Sequence, residues 1–256
     1  MKNYLLFVLT VFLSFTACKK EKAKKKEFKG ITQTQGGKLS PVFEFSSGTN
    51  PANIIYNAVV PYVTGTVLVK INYKLTYKEQ RLTNALIETG GESIPVTYSI
   101  NAKNLIIGSD FHGKRNNVSY SYDSQNRLTS SAGAGFRYEY SYDEQNLSKI
   151  VATNQQGLKF LEVVIEADRS SNPLLNTPLP YLEEDMPMWT WFSLSKYNIT
   201  GLTYTYFGPS GQVTETSKYV FSYTYEDDRP ITMKRYLYAE FLKGEKGYYD
   251  GFTYNY

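Results

Sequence analysis

Residues 120–128 read YSYDSQNRL, and residues 140–147 read YSYDEQNL. The repeated Tyr-Ser-Tyr-Asp segment has two interpretations: Asp123 and Asp143 are paired carboxylates of an active site, or each holds a turn between two strands. An aspartate that begins a turn accepts hydrogen bonds from backbone N–H groups two or three residues further on, and an asparagine near the end tolerates a left-handed backbone. We therefore predict that both aspartates lie at the tips of β-hairpins and have no catalytic role.

Two further turn segments favour the hairpin interpretation. KEQR (residues 78–81) and NAKN (residues 101–104) follow strand-like runs and place Lys78 and Asn101 where the repeats have aspartate. A position that accepts lysine and asparagine within one chain is not a catalytic carboxylate. Four-residue connections built around a type I turn are common in hairpins, and we expect them at these sites.

Large apolar and polar side chains alternate in residues 70–78, 136–143 and 218–226. A period of two indicates strands with one buried face, and the 24 tyrosines suit a pleated, half-buried surface. After the turns, new strands are expected to begin near Leu82, Leu105, Leu128 and Leu147, with a repeat of about twenty residues. The predicted fold class is all-β, a strongly curved antiparallel sheet or barrel built of consecutive hairpins.

The N-terminal segment differs from the rest in composition. Residues 1–18 have one lysine, an apolar run too short to span a bilayer, and small residues before Cys18, which is typical of a signal peptide. Residues 19–30 form a lysine-rich tether, and residues 31–256 form a single antiparallel β domain. Residues 1–29 hold eight Lys and two Glu, a charge of +6, so the remainder of a +4 chain carries −2. The basic balance therefore belongs to the tether, and we expect no nucleic-acid partner.

The end of the signal segment, Phe15-Thr16-Ala17-Cys18, resembles the lipobox of bacterial lipoproteins. That resemblance implies lipidation of Cys18 and attachment to the outer membrane; the alternative is an ordinary cleaved signal with a chance cysteine. Some Bacteroidetes-type lipoproteins carry an acidic export signal after the cysteine, and the lysine-rich run here departs from it. We therefore expect the periplasmic face of the outer membrane, with the cell surface as the alternative.

The two opening segments resemble the YD repeats of Rhs-type proteins, whose consensus has Tyr-Asp followed by Asn-Arg-Leu. The chain more closely resembles Bacteroidetes-type lipoproteins of unknown function, which combine a lipobox, YD-like hairpins, an Asn-Pro interruption and a Leu-Ser-Lys-x-Asn return. The last two features are residues 172–174 and 194–198 here. The resemblance covers about residues 65–256. It implies a porin-like, strongly curved antiparallel β fold and no catalytic residue.

Residues 170–193 interrupt the alternation with four prolines, which forbid a continuous strand ladder. A short helix at about 180–192 is expected to cover an open end of the sheet. The apolar cluster within it is the candidate ligand-binding site for a glycan or a lipid, because Trp faces stack on sugars and Met adapts to lipids. Its members are Met188, Trp189, Trp191 and Phe192.

Catalytic and metal sites have little support in the sequence. Glu183, Glu184 and Asp185 could supply acid and base groups to a glycosidase, but adjacent residues of a helix point in different directions. The single histidine, His112, cannot form a His pair or a His-rich metal cluster. The glycine-rich residues 130–136 precede a strand rather than a helix, so they predict a hairpin loop and not a phosphate site. We expect no cofactor and no metal.

A membrane-spanning barrel is the remaining structural alternative, because the chain ends in alternating aromatics. A lipid-facing band needs apolar residues on alternate positions, whereas the strands here alternate Tyr with Ser, Thr, Lys and Glu. We therefore expect a water-soluble barrel or sheet acting as a non-enzymatic binding or structural module, with a glycan, a lipid or a protein as its ligand. The alternatives are a periplasmic carrier of a lipid or hydrophobic ligand and a carbohydrate-active enzyme.

Overall fold

The structure, a computed structural model, describes residues 27–35, 38–46, 50–62, 65–113, 117–182, 187–239 and 247–256. Sixteen strands form one closed antiparallel barrel, in which each strand pairs with its neighbours along the chain and β1 pairs with β16. The strands are β1 (Gly30–Gln35), β2 (Lys38–Phe45), β3 (Asn53–Tyr62), β4 (Gly65–Lys78), β5 (Arg81–Thr89), β6 (Glu92–Ile100), β7 (Ile106–Asp110), β8 (Val118–Tyr122), β9 (Leu128–Ala132), β10 (Phe136–Asp143), β11 (Asn146–Asn154), β12 (Lys159–Ser171), β13 (Tyr197–Phe207), β14 (Val213–Glu226), β15 (Arg229–Ala239) and β16 (Gly247–Asn255). The predicted all-β fold of consecutive hairpins is confirmed.

The interruption between β12 and β13 carries the helical structure. It contains a 3-10 helix (Leu179–Tyr181) and one α-helix among the described residues, α1 (Pro187–Leu194). The single short helix is confirmed, but it ends two residues later than expected, and a separate 3-10 turn occupies the expected start near residue 180. No helix in the described part of the chain is long and apolar enough to cross a membrane.

The barrel closes through the two ends of the chain. Gly30 pairs with Asn255, and the backbone at Gly30 has φ +149°, with an added Cβ falling 2.1 Å from the carbonyl oxygen of Phe43. Only glycine fits this close approach. Phe28 packs on Phe45 with ring centroids 5.5 Å apart. At the end of the predicted tether (residues 19–30), Gly30 is therefore the first residue of β1, and Phe28 contacts the barrel.

Alternation along the strands separates a lumen face from an outer face. In β6, Ile94, Val96 and Tyr98 are buried, while the residues between them are exposed. The same pattern in β8 buries Val118 and Tyr120 and exposes serines. Closing the sheet leaves no edge strand. The alternation places the apolar side chains inside the barrel and turns Ser, Thr, Lys and Glu outward.

The turns at one end of the barrel fall into two classes, whereas one class was expected. In the first class, Asp123 Oδ1 accepts hydrogen bonds from the backbone N–H groups of Gln125 and Arg127, both at 2.9 Å, and Asn126 has φ +62°. Asn101 repeats this geometry with the N–H groups of residues 103 and 105. Here the predicted roles of the first and last turn residues are confirmed.

The second class has only two connecting residues. Glu79 and Gln80 between β4 and β5 both have positive φ, as do the two residues between β14 and β15. In the second repeat, Asp143 pairs with Asn146 in the ladder, and Glu144 takes the positive φ instead of the asparagine. The expected type I turn is therefore wrong at these places.

Spacing separates the two classes. Five positions separate Asp123 from the first buried residue of the next strand, Leu128, but only four separate Asp143 from Leu147. The extra residue makes room for the side chain to cap the turn. The strand after Asn101 likewise begins at Ile106, five positions further on and next to the expected start near Leu105.

Tyrosine hydroxyls complete the ladder where neighbouring hairpins separate. The β9–β10 pairing ends at Glu139 and Ser130, which leaves the carbonyl of Leu128 without a strand partner, and the hydroxyl of Tyr142 donates to it at 2.8 Å. Three more tyrosines do the same to the start of the neighbouring strand: Tyr122 to Ile106, Tyr223 to Ile199 and Tyr256 to Pro230. A buried carbonyl needs a partner, so this hydrogen bond explains the tyrosine before the aspartate in each repeat.

The two aspartates of the repeats should differ in their effect on stability. Asp123→Ala removes the acceptor of two backbone N–H groups and leaves Arg127 without its carboxylate, which should lower the free energy of unfolding by about 1–3 kcal/mol. Asp143→Ala should change it by less than about 0.5 kcal/mol, because its side chain has no hydrogen bond within the described residues. Urea unfolding followed by circular dichroism measures both, and equal losses would contradict the capping role.

Candidate functional site

The insert, defined here as the described residues 172–182 and 187–196 between β12 and β13, lies in the lumen. Leu174, Leu179 and Leu182 are fully buried, and α1 is apolar on almost every side. A helix that is hydrophobic all round is stable only when it is enclosed, and Pro187 suits its first turn. The insert was expected to cover an open end of the sheet, and its apolar side chains also fill the interior of the barrel.

The four candidate ligand-binding residues contact the barrel wall. Trp189 packs edge-to-face on Phe43 of β2 and Phe252 of β16, with ring centroids 5.3 and 5.5 Å apart. Phe192 packs on Phe221 of β14 at 5.2 Å. These aromatic pairs join walls from both ends of the chain to one helix, so they act as core.

The other two candidates complete the same packing. Trp191 is 2% exposed and lies 5.9 Å from the ring of Tyr204 in β13. Met188 is half-buried, and its sulfur accepts a hydrogen bond from Arg235 Nη1 at 3.4 Å. The structure therefore brings all four predicted residues together, but as side chains that fill the lumen.

Two asparagines fasten the ends of the insert. Asn172 is buried; its Nδ2 donates to the carbonyls of Phe192 and Ser195, and its Oδ1 accepts from the N–H of Leu174. Asn198 Nδ2 donates to the carbonyls of residues 170 and 171. The Asn-Pro and Leu-Ser-Lys-x-Asn motifs are thus the two sides of one clasp at the point where the chain leaves and re-enters the wall.

Little empty space remains beside the insert. An apolar cavity of about 40 Å³ lies among Trp191, Tyr120 and Tyr140, which is room for a few water molecules at most. Its tyrosine hydroxyls are satisfied, for example by Ser131 Oγ, 2.9 Å from that of Tyr140. Burial raises the pKa of the Tyr140 hydroxyl well above its usual range, so it stays protonated at neutral pH.

A much larger space opens at the end of the barrel that carries the turns of the YD-like repeats. This vestibule has a volume of about 930 Å³. Its lining comes from three turns, from the insert and from the start of β13: Leu105, Tyr122, Gln125, Asn126, Arg127, Leu128, Tyr142, Glu144, Gln145, Asn146, Leu175, Asn176, Thr177, Pro180, Tyr181, Ser193, Leu194, Lys196 and Tyr197. Sequence reasoning missed this site, because it treated the turn amides only as turn formers and could not place the insert beside them.

Arg127 organises the vestibule wall. Its Nε and Nη2 lie 2.7 Å from Asp123 Oδ2, its Nη1 donates to the carbonyl of Glu144, and its guanidinium lies 4.7 Å from the ring centroid of Tyr142. The arginine thereby joins the two repeats to each other. Partial burial acts to raise the pKa of Asp123, but hydrogen bonds from the Arg127 backbone and side chain outweigh it and hold the pKa below its usual value.

A second ion pair lies inside the barrel. Asp250 is fully buried and accepts two hydrogen bonds from Arg235, at 2.9 and 2.5 Å, and one from Gln33 Nε2 at 2.6 Å. Burial raises the pKa of the Asp250 carboxyl despite these donors. Because Arg235 also contacts Met188, the pair ties β15 and β16 to α1.

The remaining sequence-predicted residues have simple placements. Cys18 and the acidic triplet Glu183, Glu184 and Asp185 lie outside the described residues. His112 is exposed in the β7–β8 loop, with its Nε2 2.9 Å from Thr97 Oγ1. Within the described part of the chain, no group of three or more His, Cys, Asp or Glu side chains could hold a metal ion.

Comparison with known proteins adds to the fold. No protein-family model and no curated protein matches the chain. Among solved structures, the barrel is similar to a porin-like protein from Bacteroides uniformis ATCC 8492, with a TM-score of 0.53 and 12% identity over 88% of this chain and 95% of that one. A porin-like protein from Bacteroides vulgatus ATCC 8482 superposes with a TM-score of 0.41 and 11% identity over 90% and 98% of the two chains. At such identity the likeness to the first protein concerns the fold alone.

The lumen position of Trp191 leads to a stability prediction. Trp191→Ala should lower the free energy of unfolding by about 3–5 kcal/mol, since it opens a cavity in a packed interior. Val213→Ala, on the exposed start of β14, should change it by less than about 0.5 kcal/mol. Urea unfolding followed by circular dichroism measures both. A Trp191→Ala variant as stable as the parent chain would contradict the packed lumen.

The lowered pKa of Asp123 leads to a pH prediction. A carboxyl whose pKa is lower in the folded state stabilises the protein above its unfolded pKa, near 4, and the contribution is lost as the pH falls through the folded pKa. The stability difference between the parent chain and Asp123→Asn should therefore be constant from pH 7 to about 5 and should shrink below about pH 4. Unfolding free energies measured across this range test the sign, and a difference that grows in acid would refute it.

Proposed function

We propose that the protein is a lipid-anchored, non-enzymatic binding module of the bacterial envelope, and that it binds its ligand in the vestibule. One observation carries the proposal: the insert fills the lumen, while an open space of about 930 Å³ remains at one end. Ligand pockets commonly measure about 300–1,000 Å³, so this space has the size of a binding site. Because the interior of the barrel below the vestibule is packed, we expect the wall of the vestibule to be rigid.

The polar residues on the outer face of the barrel favour a barrel surrounded by water rather than by lipid. Thr97, Ser119 and Glu139, on the outer face of three neighbouring hairpins, are exposed and polar. A lipid-facing strand carries apolar residues at such positions. A lipid on Cys18 would then be the membrane attachment, which agrees with the lysine-rich residues 19–29 that follow it.

The direction of the strands relates the proposed anchor to the vestibule. Strands alternate in direction around the barrel, so Gly30 at the start of β1 lies at the same end as the turns at 123–127 and 144–145. Phe28 lies ten positions after Cys18, a reach of at most about 36 Å. An anchored chain would hold the mouth of the vestibule near the membrane surface, at the periplasmic face in our proposal.

The two alternative functions gain less support. A carrier of a lipid beneath Trp189 and Trp191 needs a large apolar cavity, whereas the space there is about 40 Å³. A carbohydrate-active enzyme would need a matched pair of carboxylates. Among the described lining residues of the vestibule, Glu144 is the single carboxylate.

Processing of Cys18 tests the anchor. Globomycin, which blocks lipoprotein signal peptidase, should cause a larger precursor to accumulate, and the parent chain should enter the detergent phase of a Triton X-114 partition. Cys18→Ala should abolish lipid labelling, whereas Thr16→Ser should retain it as the control. A parent chain that stays in the aqueous phase and shows no precursor shift would remove the anchor from the account.

A further inference from the structure

We infer that the vestibule binds a neutral oligosaccharide, an inference that rests on the proposed binding function and names its ligand class. Among the described residues, five side-chain amides line the vestibule. Apart from Asn146, which accepts a hydrogen bond from Tyr197, they are called here the amide rim: Gln125, Asn126, Gln145 and Asn176. All four are exposed. They come from the two repeats and from the insert, so the fold brings together segments that are separated in the sequence.

The amides of the rim are free to bind. Gln125 contributes its backbone N–H to the turn at Asp123, and its side chain takes no part in that turn. Within the described residues, none of the four side-chain amides of the rim has a hydrogen-bond partner. Each amide offers a carbonyl acceptor beside two N–H donors. Neighbouring hydroxyls of a sugar ring need that combination, because each hydroxyl both donates and accepts.

The backbone holds the rim in place. Asn126 and Asn176 have φ values of +62° and +64°, so each lies in a defined turn conformation. Asn146 Oδ1 accepts a hydrogen bond from the N–H of Tyr197 at 3.2 Å, which joins the second repeat to the end of the insert. A preorganised site loses little conformational entropy on binding.

The charges of the vestibule favour a neutral ligand. Arg127 is fully engaged by Asp123, by the carbonyl of Glu144 and by a tyrosine ring. Among the described residues that line the vestibule, and with Asp123 included, the cations Arg127 and Lys196 are matched by the carboxylates Asp123 and Glu144. Lys196 Nζ itself lies 5.1 Å from the ring centroid of Tyr197. A balanced site has no net attraction for an anionic ligand.

Tyrosine rings form the floor beneath the rim. Tyr122, Tyr142 and Tyr181 all line the space and are half-buried. Their hydroxyls are fixed by hydrogen bonds, with that of Tyr122 donating to Ile106 and lying 3.2 Å from that of Tyr181. Aromatic carbon below and amides above suit a sugar, which has apolar C–H faces and polar edges. A lipid chain would meet unpaired amides instead.

Binding should be measured on the full chain, purified in one detergent. The probes are cellohexaose, maltohexaose, mannohexaose and, as an acidic comparison, hexagalacturonate, with binding measured by isothermal titration calorimetry. A second arm uses phosphatidylcholine vesicles with and without digalactosyl diacylglycerol, because the same sugar chemistry can come from free glycan or from a glycolipid. The test variant combines Gln125→Ala, Gln145→Ala and Asn176→Gly, where glycine accepts the positive φ at 176.

The chain provides a matched control in Gln156→Ala. Gln156 occupies the same position in a turn of the same class as Gln125, because Asn154 Oδ1 accepts the N–H groups of Gln156 and Leu158, both at 3.0 Å. This turn lies at the opposite end of the barrel, after β11. Gln125→Ala and Gln156→Ala therefore remove the same group from the same local structure.

We expect saturable binding of at least one neutral probe, in either arm, with affinity about tenfold or more weaker in the triple variant and unchanged in Gln156→Ala. Circular dichroism checks the fold, and Gln145→Ala alone replaces a triple variant that fails to fold. The inference is overturned if no neutral probe binds, if only the acidic probe binds, or if the folded rim variant binds as the parent does. If no neutral sugar binds but Cys18 is processed normally, the sugar inference is wrong and the lipid-anchored module still stands. If sugar binds but Cys18 is not processed, the lipid anchor is wrong and the binding site still stands.

Discussion

Closing sixteen strands into a barrel creates an interior that the side chains of the wall cannot fill, and the rest of this structure depends on that constraint. Barrels of about this size commonly enclose a water-filled channel. Here the chain leaves the wall after β12 and places Trp189, Trp191 and Phe192 inside, where they contact β2, β13, β14 and β16. The insert therefore gives the inward-facing aromatic residues of distant strands a common core.

The abundance of tyrosine follows from the same constraint. An inward residue of a wide barrel must be long enough to reach the insert, and its polar end needs a partner once it is buried. Tyr142 and Tyr122 meet both needs, because their rings line the interior while their hydroxyls satisfy strand carbonyls where neighbouring hairpins separate. The repeated motif thus couples turn formation, through Asp123, to closure of the ladder, through the tyrosine before it.

The sequence predicted local features well and long-range ones poorly, for physical reasons. Alternation of side chains depends on neighbours two residues apart, so the strands and the hairpin tips at Asp123 and Asp143 could be predicted. The two turns differ in class because the first repeat has one additional residue, Arg127. Comparing the two motifs does not by itself predict that this residue changes the turn. Closure through Gly30 and Asn255 joins the two ends of the chain, and no local pattern reports it. The vestibule was missed because it forms only when the insert and both repeats are in place.

The central claim is that the insert is a permanent part of the core, and amide hydrogen exchange tests it most directly. Amides deep in a folded core exchange only when the whole structure opens, whereas those of loops exchange within seconds. If the insert is permanently in the core, the amides in the last turn of α1, residues 191–194, exchange as slowly as those at the centres of β13 and β14. Exchange in α1 as fast as in the exposed turn at residues 155–157 would show an insert that leaves the lumen, and would contradict the account.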